Sequence, residues 1–233
     1  MTRSALITGA TGTLGTAVTR RFLELGYDVV AASSGHSGPV LGESHDESSA
    51  RLHLLQADVT EPDSVSTLVA ETVDAVGTID VLVHLVGGWA GGKPIQDHSP
   101  AEWDRVLDLN LRSAFLCSRA VIPHMRKQGW GRIVLVSAQA ARQGRKGQGI
   151  YAVAKSGVSV LAETIAEENR DKDVTANVVA PAALDTPANR AAARNSDHSD
   201  LVPPAVVAET IVFLASDEAG LLRGAWLPAF GRT

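Results

Sequence analysis

Three features of this 233-residue sequence predict an α/β fold built on one doubly wound parallel sheet. Short apolar runs alternate with amphipathic helical segments along the whole chain, the pattern of repeated strand–helix units with right-handed crossovers. The run Ile79–Val86 is almost continuously apolar, as a central parallel strand covered on both faces must be. A glycine-rich turn, Thr8-Gly-Ala-Thr-Gly-Thr-Leu-Gly15, joins the first strand to the first helix. About seven strands with helices on both faces are expected, in one domain covering residues 1–233.

Ser4–Ile7 reads as a short buried strand. Thr16–Leu25 places Ala17, Val18, Phe22 and Leu25 at helical spacing and stops at Gly26. Tyr27–Ala32 is the second strand. Strand, glycine turn, helix and strand together make a Rossmann-type dinucleotide-binding unit: the glycines let main-chain N–H groups approach a pyrophosphate, and the helix N-terminus favours its charge. Gly9, Thr11, Gly12, Thr13, Leu14 and Gly15 are the candidate phosphate contacts. Their spacing is Gly-x-x-Gly-x-x-Gly rather than the more familiar Gly-x-Gly-x-x-Gly. At the tip of the second strand an NAD site usually carries a carboxylate for the ribose 2′-hydroxyl. Here stand Ser33, Ser34, Gly35 and His36, and the two serines suit a 2′-phosphate, so NADP(H) is favoured over NAD(H). The polar stretch Gly35–Ala50 is expected to be a mobile connection.

Leu52–Gln56 is the third strand, and Asp58 and Val59 beyond it suit an adenine edge, with a turn or cap as the alternative role of Asp58. Glu61–Val76 is an amphipathic helix. His84, inside the fourth strand, reads as a core histidine. Gly87-Gly-Trp-Ala-Gly-Gly92 follows at the strand's carboxyl end, the edge where open α/β sheets bind ligands. Trp89 either covers a planar substrate or packs under this loop.

Ser99, Pro100 and Glu102 mark a helix start that should run to about Lys127, with a bend or restart at Pro123. Asn110 lies mid-helix, where an amide is a poor choice unless it has partners. Gly131–Val136 is the fifth strand and ends at Ser137. Ala138–Gly149 carries Arg142, Arg145 and Lys146, either solvated or facing an anionic substrate. A helix over Ile150–Arg170, a strand over Val174–Val179, a helix from Pro203 to Ser216 and a last strand over Gly224–Pro228 complete the chain. Residues 186–204 read as a small helix plus a mobile substrate lid.

Tyr151 and Lys155 are the candidate chemistry. Four apart, they project from one helix face, and a nearby ammonium lowers a phenol's pKa toward neutrality. Ser137, at the end of the preceding strand, is placed to hold the oxygen that receives the proton.

Composition narrows the class. A net charge of −5 and no Lys/Arg stripe argue against nucleic acid. Cys117, the one cysteine, excludes an internal disulfide and reads as a small core residue. No signal peptide or membrane-spanning run is evident and no metal site is expected, so a soluble cytoplasmic protein is the expectation.

With these pieces placed, the chain resembles the single-domain branch of the short-chain dehydrogenase/reductase family over nearly its whole length. The glycine turn, Asp58-Val59, Asn110, Ser137, Tyr151/Lys155 and Pro181–Thr186 carry the resemblance. It implies hydride exchange between a nicotinamide and a carbonyl or alcohol of the ketone or 3-oxoacyl type. Tyr151 is then the general acid, Ser137 the hydrogen-bond donor to the substrate oxygen, Lys155 a ligand of the ribose hydroxyls and Asn110 a relay to solvent. Gly87, Pro181, Leu184 and Thr186 join the cofactor set. The chain departs from the family in His84-Leu-Val-Gly87, where Asn-Asn-Ala-Gly is usual, and in Ala182, where Gly follows the proline. The loops around Trp89 and Asp185 resemble those of dihydropteridine reductases, which generally lack the catalytic Ser. Trp89, Gln139 and Asp185 are the candidate substrate contacts, and a pterin reductase is the alternative activity. A non-catalytic nicotinamide-binding sensor is the alternative from another class. Relatives pair through the Asn110 and Tyr151 helices, which implies a homodimer or homotetramer.

Overall fold

The computed structural model describes residues 2–35, 51–192 and 198–231. Seven parallel strands form one sheet in the order β3-β2-β1-β4-β5-β6-β7. They are β1 (Ser4–Thr8), β2 (Asp28–Ser33), β3 (Leu52–Gln56), β4 (Val81–His84), β5 (Trp130–Val136), β6 (Asp173–Pro181) and β7 (Trp226–Ala229). The order reverses between β1 and β4, where Thr8 pairs with His84. Chains leaving the two strands diverge there and open a crevice at their carboxyl ends.

Period-2 alternation sorts each strand's side chains between two cores. Leu6, Val30, Leu82, Ile133, Leu135 and Val178 face one side. There they meet α2 (Pro62–Val76), α4 (Ser113–Gln128) and α5 (Gly149–Glu168). Ile7, Val29, Val83, Val134 and Val179 face the other. That face is covered by α1 (Thr13–Glu24) and α7 (Pro204–Leu214), through Val18, Phe22, Ile211 and Leu214. Because both faces are covered, the central strands need apolar residues at every position, which is why Ile79–Val86 carries so few polar ones.

The expected long helix from Pro100 is continuous but not uniform. α3 (Pro100–Leu107) begins with the expected capping box at Ser99 and Glu102. It passes through a π turn over Asp108–Arg112 into α4, and Pro123 lies inside α4. α1 starts at Thr13, three residues earlier than the periodicity indicates, so Gly12 is its cap. α6 (Pro187–Ala192) is the small helix expected after β6, and a 3₁₀ turn follows at His198–Asp200. The expected mobile connection falls on residues 36–50, and part of the expected lid on residues 193–197; both lie outside the described residues. Among the described residues no helix is long and apolar enough to cross a membrane.

One charged side chain sits inside the sheet. Arg132 is buried, pairs with Asp173 at 2.9 Å and lies 4.3 Å from the ring centroid of Trp130, whose other cationic neighbour is Arg3. Its donors are also taken by the carbonyls of Gly131, Asp173 and Ser216, so the buried charge is both paired and hydrogen-bonded.

Candidate active site

Tyr151 lies in the first turn of α5, and Lys155 one turn further along. Lys155 is 4% exposed, and its Nζ donates to the Val136 carbonyl at 2.9 Å. Nζ stands 5.9 Å from the Tyr151 ring centroid. Burial acts on both groups against their charged forms. It pulls Lys155 down to about 8 and pushes Tyr151 up to about 12. The expectation of a phenol lowered toward neutrality is therefore corrected: at this distance the ammonium does not offset the loss of water around the ring.

Ser137 does not present its hydroxyl proton to Tyr151's neighbourhood. Its Oγ donates to the main-chain carbonyl of Lys155 at 2.7 Å and lies 3.3 Å from the donor Ser159 Oγ. The residue is 2% exposed. A hydroxyl has one proton to give, and this one ties the end of β5 to α5. The expectation that Ser137 holds the reacting oxygen is corrected on that ground. Ala138, next along the extended chain, offers only a methyl group.

Asn110 occupies the π turn, and its amide is fully engaged. Oδ1 accepts from the Gly88 N–H at 3.0 Å, while Nδ2 donates to the carbonyls of Gly88 and Val106. π turns inside α-helices concentrate at functional sites; here the turn aims Asn110 at the loop after β4. A Cβ placed on Gly87 would lie 2.8 Å from Asn110 Oδ1 and 2.9 Å from Lys155 Nζ, so both polar atoms face the same small space.

His84 is a core histidine, as its sequence position suggests. Ser113 Oγ gives its proton to the Leu109 carbonyl at 2.7 Å, so it accepts from His84 Nε2 at 3.1 Å. Nδ1 is then the acceptor for Thr8 Oγ1 at 2.8 Å. Burial, with a smaller contribution from Lys155, holds the ring neutral, its pKa near 3. The imidazole thereby bridges the strand that feeds the glycine turn to the helix that carries Asn110.

Gly9, Thr11, Gly12, Ser33, Ser34, Asp58, Val59 and Gly87 line one cleft of about 280 Å³ at the strand ends. Thr13, Leu14 and Gly15 follow as the first turn of α1. Gly9 adopts φ +74°, and a Cβ on Gly15 would approach the Gly9 carbonyl to 2.2 Å, so both positions require glycine. The α1 N-terminus has no side-chain cap. A glycine turn, uncapped helix amides, hydroxyls at the β2 tip and a cleft that reaches Gly87, beside Lys155 Nζ, fit a nicotinamide dinucleotide. Asp58 does two things: it lines the cleft, and its Oδ1 accepts from Thr60 N–H and Oγ1, which lowers its pKa.

In the loop after β4, Trp89 is 60% exposed, with its ring edge-on to Tyr151 at 5.0 Å between centroids. The Gly92 N–H donates to the Gly147 carbonyl at 2.8 Å, fastening the Trp89 loop to the segment before α5. Gln139 begins a 3₁₀ turn after β5. Pro181 ends β6, and Leu184 bridges to Val202. Thr186 Oγ1 accepts from the Asn189 N–H, which makes it the cap of α6. Asp185 forms an ion pair with Arg190 that holds its carboxyl below the usual range. The sequence reading missed the role of Ser137 at the β5–α5 junction. Ser159, four residues after Lys155, was the available signal, because it puts a second hydroxyl on the helix face turned toward Ser137.

The family model described as short chain dehydrogenase matches residues 3–197. An acetoacetyl-CoA reductase from Allochromatium vinosum is 33% identical, over 99% of this chain and 98% of that protein. A cis-4-hydroxycyclohexanecarboxylate dehydrogenase from Sinomonas cyclohexanicum is 31% identical, over 98% and 95%. Among solved structures, levodione reductase superposes with a TM-score of 0.83 at 26% identity, covering 98% of this chain and 96% of its own. With its parallel sheet, its dinucleotide cleft and its Tyr151/Lys155 pair, the chain belongs to the short chain dehydrogenase family and is an NAD(P)-dependent oxidoreductase of carbonyl and alcohol groups.

Proposed function

We propose that the chain is a cytoplasmic, NADP(H)-preferring reductase of ketones or 3-oxoacyl compounds, with Tyr151 as general acid. The observation that carries this reading is the geometry of the pair: Tyr151 and Lys155 lie one turn apart on α5, Nζ 5.9 Å from the phenol ring centroid, with Lys155 Nζ packed beside Gly87, which lines the dinucleotide cleft. The bound nicotinamide supplies the hydride. Tyr151 gives its proton to the oxygen that gains charge. Lys155, fixed by the Val136 carbonyl, supplies positive charge near that oxygen and a donor toward the ribose hydroxyls. Asn110 holds the Gly88 main chain and, with Lys155, lines the space at Gly87. Ser137 acts as a positioning residue: it fixes the carbonyl of Lys155 and hence the helix register at the site. NADP(H) is favoured because Ser33 and Ser34 line the cleft and no carboxylate stands at the described tip of β2.

Thr186, Leu184 and Pro181 bound the nicotinamide end in this reading, and Trp89, Gln139 and Asp185 the substrate end. Exposed apolar side chains on α4 (Phe115) and α5 (Val153, Val160) support pairing of two copies through these helices. The test is oxidation of NADPH and NADH, in parallel, with acetoacetyl-CoA and simple cyclic ketones. Turnover with NADPH at a lower KM than with NADH is the expected result; no turnover of any of these ketones counts against the reading.

A second reading is favoured by two observations together, the engaged hydroxyl of Ser137 and the exposed Trp89 ring against Tyr151. A planar, π-rich substrate such as quinonoid dihydropterin would stack on Trp89 and accept Tyr151's proton on nitrogen, without a serine donor. Turnover of quinonoid dihydropterin but of no ketone would select it.

A further inference from the structure

Trp89 also forms a wall of a second cleft, of about 220 Å³, together with Lys93, His98, Glu102, Arg105 and Ile150. The Trp89 ring also touches that of Tyr151, 5.0 Å between centroids, so one side chain borders both this cleft and Tyr151. Its charges are unevenly engaged. Lys93 Nζ contacts both Glu102 oxygens at 2.8 Å, and the Ser99 N–H donates to the same carboxylate. Lys93 and Glu102 thus neutralise each other. Arg105, exposed on α3, has no guanidinium hydrogen bond or ion pair among the described residues. The His98 side chain is only 5% exposed, and neither ring nitrogen has a hydrogen-bond partner; Nδ1 lies 3.9 Å from Glu102 Oε2. Buried polar atoms are rarely left unpaired, because their lost hydration is then uncompensated.

The lining therefore offers one net positive charge from Lys93, Glu102 and Arg105, one buried imidazole whose ring nitrogens lack partners, and two apolar side chains, Trp89 and Ile150. We propose that this cleft holds a carboxylate carried by the substrate away from its reacting carbonyl. Arg105 pairs with the carboxylate, His98 donates to it, and the intervening carbon skeleton lies against Trp89 and Ile150. One free cation matches one negative charge; a phosphate dianion would need a second, and Lys93 is already engaged. The inference rests on the reductase reading and narrows its substrate to oxo acids.

The test compares 4-oxocyclohexanecarboxylate with cyclohexanone, which differ in the carboxylate alone. The KM of the wild-type protein should be about tenfold or more lower for the acid, the usual effect of a charge-assisted contact. Arg105→Ala should bring the two KM values together, and Arg105→Lys should keep part of the difference. Equal KM values in the wild type, or a difference that survives Arg105→Ala, overturns the proposal and leaves the reductase reading standing. If these ketones and acetoacetyl-CoA are all inert, the reductase reading fails instead. Calorimetry with cyclohexanecarboxylate, which has no carbonyl to reduce, then decides the cleft. Binding weakened about tenfold by Arg105→Ala supports it; no binding, or binding that Arg105→Ala leaves intact, overturns it.

Discussion

The Ser137 hydroxyl and the main-chain carbonyl of Lys155 are 2.7 Å apart, and that bond fixes what each residue can do. Serine gives its one proton to the helix, and the carbonyl receives it in a buried place. Removing the hydroxyl takes away the shorter of two side-chain donors to that carbonyl, Ser159 Oγ remaining at 3.3 Å, a loss of about 0.5–1.5 kcal/mol. A serine that stabilised a developing oxyanion would instead cost about 10²–10³ in kcat. Ser137→Ala should lower the melting temperature and reduce kcat less than about tenfold. Calorimetric melting and steady-state kinetics on the same preparation check both, and a thousandfold loss of kcat with an unchanged melting temperature would restore Ser137 as a substrate contact.

Tyr151→Phe keeps the ring against Trp89 and removes only the proton. General acid catalysis is worth about 10²–10⁴, so kcat should fall by at least about a hundredfold. Affinity for NADPH, read by fluorescence titration, should stay within about twofold, since the phenol's proton matters in the chemical step.

Lys155 gives the site a pH limit. Its ammonium is held down to about 8 by burial, so the charge that favours reduction is present below pH 8 and lost above it. The kcat/KM for reduction should therefore decline as pH rises through about 8. Stability should move the other way. Between pH 8 and 10 the unfolded lysine binds a proton that the folded one has released, so unfolding free energy rises with pH. Lys155→Ala should flatten this rise, measurable by urea denaturation across that window, and should weaken cofactor binding as well as rate.

Gly87→Ala would insert a methyl group within 3 Å of both Asn110 Oδ1 and Lys155 Nζ. The lysine end is flexible and would yield, moving its charge out of place. NADPH affinity should fall about tenfold, roughly what one charge-assisted contact contributes, and the melting temperature should fall as well, because Asn110 Oδ1 is held by the Gly88 N–H and cannot move aside without losing that bond. Equilibrium binding and thermal unfolding separate the two effects.

The sheet was legible in the sequence because its signals are local. Apolar runs bounded by turns gave every strand within a few residues, and Ser99/Glu102 marked the start of α3. The glycine turn and Tyr151/Lys155 were legible because fixed spacing on a known element places them together. What stayed hidden depends on direction and burial. Ser137 has the residue type and location of a donor, yet strand pleating turns its side chain into α5. The fate of the Tyr151 proton depends on how much water the fold removes, which no spacing reports. The π turn at Asn110 has no local marker beyond a polar residue among leucines. His98 and Arg105 lie nine and sixteen residues beyond Trp89 in sequence, and only the chain's path brings them to one cleft.

The hydrogen bond from Gly92 to Gly147 has a mechanical meaning. It joins the loop that bears the substrate wall to the segment that leads into the acid's helix. Trp89 and Tyr151 are thereby linked twice, by their ring contact and through the main chain. If Tyr151 is the acid proposed above, sequence changes that reshape the Trp89 loop should alter rate together with selectivity, because the two share these contacts.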